Sequence, residues 1–437
     1  MDQEKVLVIT YYWPPSGGSG VQRWMYFCKY LPENGIMPYV ITVDPKKASY
    51  KVEDESFSEH VKHIPVFVTS TFEPLKLYSR ITTGSSSEGI PQGFAGEKKP
   101  GFLKRMARYI RGNWFIPDAR KGWNKFALKK AEEIIRKEGI TKIITTGPPH
   151  SSHLIGLALK KKYNVKWIAD FRDPWLELYY NQYLYRSKKS VSHDADLEKR
   201  VLEHCDAVIT VGPSLVKLLK AKIPAAAAKV SFILNGFDDE TMSAIHDNPP
   251  TEKFIISHIG VLGETQPITS LLATLKSLES EKKITPSETE MHITGNVSPS
   301  ILEEIKTICP WLTVVVKKYV PHTEALRQMK KSHLLLNSQP EIGESTYMIS
   351  GKLMEYLASG NPVLVLGNPA GDAAGMLNEF KYCRVFDRKN EAGIKEHIYS
   401  VYTCWKEGKD ARHPVDNLFF SRRNNTVQLA EIIKRLS

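Results

Sequence analysis

The chain has 437 residues, 42% of them apolar and 25% charged, with a net charge of +12. That length suits two domains, and the balance excludes a disordered or fibrous chain. Five scattered cysteines with no C-x-x-C (Cys28, Cys205, Cys309, Cys383, Cys404) argue against a disulfide framework or a zinc site and fit a reducing compartment.

The start, MDQEK, is charged and runs straight into an apolar stretch, which reads as a cytoplasmic chain with no signal peptide. Strands are predicted at Lys5–Tyr11, Tyr39–Val43, Ile64–Val68, Lys142–Thr146, Lys166–Asp170, Ala207–Val211 and Val230–Leu234, with helical patterns between them. Such alternation argues for parallel sheets. The apolar runs fall far short of the ~20 residues that cross a bilayer.

The first strand leads into YYWPPSGGSGVQRW. Gly17, Gly18 and Gly20 there allow positive φ and close approach of a phosphate or sugar. GGSG is not G-x-G-x-x-G, and no G-x-x-x-x-G-K-[ST] stands here, so neither an NAD site nor a P-loop is expected. Arg23, in the first helical turn, either pairs with an anion or faces solvent.

Thr82–Pro100, rich in Gly, Ser and Pro, reads as a loop. From Lys98 to Lys130 eleven Lys and Arg stand against one acid, Asp118, a local excess of +10. A local excess points to a partner surface. Within it, GFLKRMARYIRGN (101–113) reads as a short amphipathic helix. Phe102, Met106, Tyr109 and Ile110 fall on one side, and Lys104, Arg105, Arg108 and Arg111 largely on another, with Trp114 and Phe115 following. Cations beside such aromatics suit an anionic membrane surface and a lipid-linked acceptor. The alternative is a helix docked on its domain with its basic face in water. No nucleic-acid-binding module accompanies the charge.

His150, in GPPH after a strand, is a candidate sugar or acceptor contact; otherwise it caps the helix beginning at Ser151. His153 follows one turn later, but HSSH lacks the carboxylate of a zinc helix. Asp170, ending a buried strand, either orients an acceptor hydroxyl or plays a structural part in the DPW turn. Asp194-Ala-Asp196 has the letters of a DxD metal motif but opens a helical run, so no metal is expected.

A boundary is read at Ile245–Glu252, where a double proline interrupts the alternation. A second α/β set follows, with strands at Phe254–Ile259, Met291–Thr294, Thr313–Val316, His333–Asn337, Pro362–Leu366 and Cys383–Phe386, and a last helix at about Thr426–Leu436. Within this half, GESTYMISGKLMEYLASGNPVLVLGNP reads as loop, helix (Ser350–Ser359) and buried strand. Ser350 is placed to cap the helix, Gly351 allows close approach, and Lys352 puts a cation in the first turn, against the helix dipole. That misfit resolves if an anion sits at the helix start, where the N–H groups from Ser350 to Leu353 would meet it. Glu355, one turn on, is placed to accept hydrogen bonds from sugar hydroxyls. A nucleoside diphosphate carries both features; the alternative is an ordinary strand–helix–strand turn.

KVLVITYYWPPSGGSGVQRW, TTGPPHSSHLIG, DFRDPW, NGFD and GKLMEYLASGNPVLVLG occur in that order. Together they resemble the retaining GT-B glycosyltransferases of group 1, the GT4-like family, over nearly the whole chain. The resemblance implies an α/β architecture of two Rossmann-like, doubly wound domains facing a central cleft. Residues 1–245 would bind the acceptor, with residues 415–437 crossing back onto them, and residues 246–414 would bind the nucleotide sugar. It implies donor contacts from Gly17, Gly18, Gly260, Ser350, Gly351, Lys352, Leu353 and Glu355, the last as the ribose-binding glutamate. Two departures stand out: Tyr347 occupies the place of the usual first glutamate, and Gln266 that of a common arginine, for which Lys352 is a substitute.

The function so implied is retaining, metal-independent sugar transfer from an NDP-sugar co-substrate, with no tightly bound cofactor. The acceptor would be a glycan or a lipid-linked species, as in bacterial surface polysaccharide synthesis at the inner face of the cytoplasmic membrane. His150, Asp170 and Lys352 are the catalytic candidates. The rivals are a nucleotide-sugar 2-epimerase of the same shape and a non-catalytic nucleotide-sugar-binding homologue.

Overall fold

A computed structural model of the chain describes residues 3–48, 53–73, 102–341, 345–413 and 421–436, with all their side chains except those of 19, 103, 104, 179, 180 and 345. The predicted loop Thr82–Pro100 lies outside the described residues. The chain divides into two compact units, Met1–Asn235 with Arg422–Ser437, and Gly236–Ser421.

The first unit holds a parallel sheet of β1 (Glu4–Ile9), β2 (Ile36–Val43), β3 (Val66–Thr69), β4 (Lys142–Gly147), β5 (Lys166–Phe171), β6 (Ala207–Thr210) and β7 (Val230–Phe232). Its order is β3-β2-β1-β4-β5-β6-β7. The second holds β8 (Phe254–Ile259), β9 (Thr289–Thr294), β10 (Thr313–Lys317), β11 (Leu334–Ser338), β12 (Val363–Leu366) and β13 (Cys383–Phe386), in the order β10-β9-β8-β11-β12-β13. Each predicted strand is present, displaced by no more than a few residues. The reason is the pattern. Inner strands such as FIISHI and VLVL are buried on both faces and read as continuous apolar runs, as central parallel strands must. The edge strand β10, TVVVK, has no buried residue.

The division between the units falls after Asn235, about ten residues before the predicted boundary at Ile245–Glu252. The segment after Asn235 is tied into the second unit by a bridge between Phe237 and Ser421, an ion pair from Lys331 to Asp247 (3.0 Å) and a bond from Arg412 to Asn248 (2.7 Å). The prolines therefore sit inside that unit. The last helix, Arg422–Arg435, belongs to the first unit. It buries Leu429, Ala430 and Ile433 in the same apolar cluster as Val21, Trp24 and Met25 of the helix Ser19–Tyr30.

In each sheet the strand order reverses direction once, between β1 and β4 and between β8 and β11. The loops leaving the carboxyl ends of such a strand pair splay apart and leave a crevice where ligands of this fold bind. In the first unit those loops carry Gly17–Gly20 and His150; in the second they carry Gly260 and the start of the helix Gly351–Ser359.

Candidate functional site

In the second unit the helix Gly351–Ser359 is anchored by Tyr356, whose hydroxyl accepts from Ile259 N (3.0 Å) and donates to Leu336 O (3.3 Å). That anchor fixes the helix start beside the ends of β8 and β11. Ser350 has extended N-cap geometry, but its side chain makes no capping bond. Its Oγ accepts from Asn337 Nδ2 (3.0 Å) instead, so the expected serine cap is replaced by a tie to β11. The N–H groups of Gly351 and Lys352 are thus left without a side-chain cap, an anion site, while Leu353 N–H already donates to Ser350 O (2.9 Å).

Lys352 leans back over this mouth. Its Nζ lies 3.1 Å from His258 Nε2 and 3.6 Å from where a Cβ on Gly260 would stand. Gly260 has φ +114, so a side chain there would be strained. Burial pulls the Lys352 amine down to about 7. Burial, and then the lysine, hold His258 well below its usual range, so the ring is neutral. Each ring nitrogen faces a carbonyl, Leu336 O 3.1 Å from Nδ1 and Val261 O 3.1 Å from Nε2, and the neutral ring donates from one nitrogen only, leaving the other as an acceptor. The arrangement holds a weakly protonated amine beside the first N–H groups of the helix.

Glu355 is buried, and its Oε1 bonds His322 Nε2 at 2.8 Å. It is therefore a partnered carboxylate held in place by the helix His322–Lys330, not a bare one. Gln266 braces its own loop: Oε1 accepts from Gly263 N (3.0 Å) and Nε2 donates to Ser338 O (3.0 Å). Arg388 reaches the same place, donating to Ser338 Oγ (3.0 Å) and to Gln339 O. Sequence reasoning passed over His258, His322 and Arg388. His258 reads as one more residue of an apolar strand; Arg388 had a signal, standing two residues past the end of β13.

In the first unit Gly18 takes φ +85 as the N-cap of the helix Ser19–Tyr30, again with no side-chain cap. Gly17 precedes it in the same loop. Arg172 buckles the surrounding turns, donating to Gly20 O (2.6 Å), Gly147 O (3.2 Å) and Pro148 O (2.5 Å). His150 is buried, and its ring stacks on Trp175 at 5.0 Å. Neither of its ring nitrogens has a hydrogen-bond partner of good geometry. Burial, then His153 and Arg172, push its pKa well down, with the Pro174 carbonyl opposing weakly. His150 does not cap the next helix, because Asp118 accepts from Ser151 N (2.8 Å) and Oγ (2.9 Å).

Asp170 departs from its expected role. It is fully buried, and both oxygens are engaged. Arg23 Nε meets Oδ1 (3.2 Å), while Trp24 Nε1 (2.6 Å) and Thr146 Oγ1 (2.8 Å) meet Oδ2. The carboxylate locks the first helix onto β4 and β5 and presents nothing to an acceptor hydroxyl. Arg23 is correspondingly buried, neither solvated nor open to a ligand. Asp194 of the DxD letters is spent on Trp175 Nε1 (2.7 Å) and Arg186. Among the described residues no group of three His, Cys, Asp or Glu is arranged to hold a metal.

The basic helix runs from Phe102 to Trp114 and turns its apolar side outward. Phe102 is 79% exposed and Trp114 70%, with Met106 and Tyr109 exposed between them. The inner side is Arg108, which is buried, and Gly112, where a Cβ would meet Leu184 O at 2.3 Å. Arg108 is thus removed from the expected membrane-facing cations: the helix packs through its glycine, and the arginine beside it goes in. Arg105 is exposed, Arg111 half-buried, and the Lys104 side chain lies outside the described residues. Among the described residues no helix is long and apolar enough to cross a membrane.

Residues 91–241 match the family model Glycosyltransferase Family 4. No curated protein matches the sequence. Among solved structures, the chain is similar to sucrose-phosphate synthase of Thermosynechococcus elongatus (13% identity, 99% of each chain, TM-score 0.62). It is also similar to Anabaena HepE in complex with UDP and glucose (14%, 99% of each chain, 0.58). A third similar structure is a putative UDP-N-acetylglucosamine 2-epimerase of Listeria monocytogenes (11%, 99% of this chain and 96% of that one, 0.56). At such identities the likeness is one of fold, and the fold is GT-B: two Rossmann-like units, here with seven and six parallel strands.

Proposed function

We propose that this protein is a retaining glycosyltransferase that moves a sugar from a nucleoside-diphosphate donor to a lipid-linked or glycan acceptor. The observation that carries this reading is the uncapped start of the helix Gly351–Ser359 with Lys352 poised over it at the switch point of the second sheet. The family match over residues 91–241 supports it. The UDP held by the similarly folded HepE makes a uridine donor the first to test.

In this reading the diphosphate lies against the N–H groups of Gly351 and Lys352. Its charge draws a proton onto Lys352, and the ammonium neutralises the leaving group as the donor bond breaks. Glu355, oriented by His322, accepts from the ribose. The acceptor hydroxyl attacks the same face that the diphosphate leaves, with no protein nucleophile and no metal; positioning and water exclusion supply the rest. His150, neutral and buried, contacts the acceptor. The exposed row Phe102, Met106, Tyr109 and Trp114, with Arg105, rests on the anionic inner face of the cytoplasmic membrane, where bacterial surface polysaccharides are assembled.

An epimerase needs free acid and base carboxylates. Asp170 has both oxygens engaged, which leaves it unavailable for that role. Turnover with a panel of NDP-sugars and membrane extract as acceptor decides between the readings. Transfer of label to lipid with release of the nucleoside diphosphate supports the proposal. Epimerised nucleotide sugar supports the isomerase, and binding without turnover supports a non-catalytic homologue.

A further inference from the structure

A polar cavity of about 60 Å³ lies wholly in the first unit, lined among others by His150, Trp175, Asp118, Arg111, Arg120 and Arg186. That is room for a few ordered waters or one small polar group. Its hydrogen bonding does not close. His150 is 4% exposed, yet both ring nitrogens lack partners, and the buried Nε–H groups of Arg120 and Arg186 lack acceptors. Buried donors of this kind each cost about 1–3 kcal/mol unless something accepts from them. Three guanidinium groups line the space against one carboxylate. That carboxylate, Asp118, is already spent on Ser151 and on Arg120 N (2.9 Å). Two other acids close to these arginines are engaged as well. Asp194 holds Arg186, and Glu73 accepts from Tyr11, whose ring lies 5.4 Å under Arg120. The Nε–H groups of Arg120 and Arg186 are thus left as buried donors beside the cavity.

The same helix that gives Arg111 to this cavity carries the exposed apolar row Phe102, Met106 and Tyr109 on its outer side. We infer that the cavity binds the phosphate of an amphiphilic acceptor, whose apolar chain lies along the outer face of the helix Phe102–Trp114. A phosphate brings several acceptor oxygens to a space that offers several donors, and arginine forks match its geometry. This deepens the proposed transfer by naming the acceptor class, and rests on that reading for the phosphate's part in catalysis. The phosphate is held, not consumed; the transferred sugar joins a hydroxyl elsewhere on the acceptor.

The test is calorimetry on the full chain with farnesyl phosphate, farnesol and inorganic phosphate, with UDP titrated alongside. Farnesyl phosphate is expected to bind, inorganic phosphate to compete at higher concentration, and farnesol to bind at least tenfold more weakly. Arg111→Gln is expected to weaken farnesyl phosphate at least tenfold, and Arg120→Lys, which keeps the charge over Tyr11, severalfold. Should the variants fold poorly, the wild-type protein with labelled histidines decides: His150 ring resonances shift with farnesyl phosphate and not with farnesol. Equal affinity for farnesol, an unaffected Arg111→Gln or an unmoved His150 ring overturns the phosphate site. Equal affinity for inorganic phosphate overturns the apolar half. Farnesyl phosphate binding without any UDP binding leaves the cavity standing and removes the glycosyltransferase reading instead.

Discussion

Lys352 offers the sharpest check on the donor site. Its amine is held to about 7 by burial, against 10.5 for the free side chain, so at pH 8 most of it is neutral in the empty protein. A diphosphate seated on the helix start needs the ammonium, and its own charge restores the ordinary basicity. Binding above pH 7 then takes up a proton, and affinity falls as pH rises. If the bound amine regains its full basicity, UDP binds roughly fiftyfold more weakly at pH 9 than at pH 7, about 2 kcal/mol. Calorimetry in two buffers of different ionisation enthalpy reads the proton directly, with about one taken up per UDP at pH 8. Lys352→Met is expected to bind weakly at pH 7 and to lose the slope. The empty protein shows the opposite trend. Its folded amine is less basic than the unfolded one, so the unfolded chain holds the extra proton between about 7 and 10.5. This group's contribution to stability therefore rises with pH across that window. Flat UDP affinity from pH 7 to pH 9, or the same slope in Lys352→Met, refutes the placement of the diphosphate.

Three further outcomes follow from the geometry. Asp170→Asn breaks a fully buried pair with Arg23 and is expected to cost about 3–5 kcal/mol in urea unfolding while UDP affinity stays unchanged; lost binding in a stably folded variant would return Asp170 to the site. Glu355→Gln keeps the volume and loses the charge that faces the ribose, so calorimetry should show UDP-sugar binding weakened about tenfold with the melting temperature little changed. Replacing Phe102, Met106 and Tyr109 by Ser should abolish pelleting with anionic vesicles, whereas Arg108→Gln, a buried position, should lower stability and leave pelleting intact; vesicle binding that survives the triple change removes the membrane contact.

Much of this protein was legible in its letters. Parallel strands buried on both faces must be continuous apolar runs, so VLVIT, FIISHI and PVLVL announced both sheets and their order of alternation. Gly18 announced backbone that only glycine adopts easily. What lay beyond the sequence were the partners of buried polar groups, since these come from strands far apart in the chain. Asp170 looked available until Arg23, Trp24 and Thr146, up to 147 residues away, filled both its oxygens. His258 hid inside an apolar strand until the fold set it under Lys352. The amphipathic helix showed its two faces in the sequence, but which one turns inward depended on Gly112 meeting Leu184. Pattern along a chain sets local structure, because neighbours in sequence share a face; the satisfaction of a buried charge is decided only where distant segments meet.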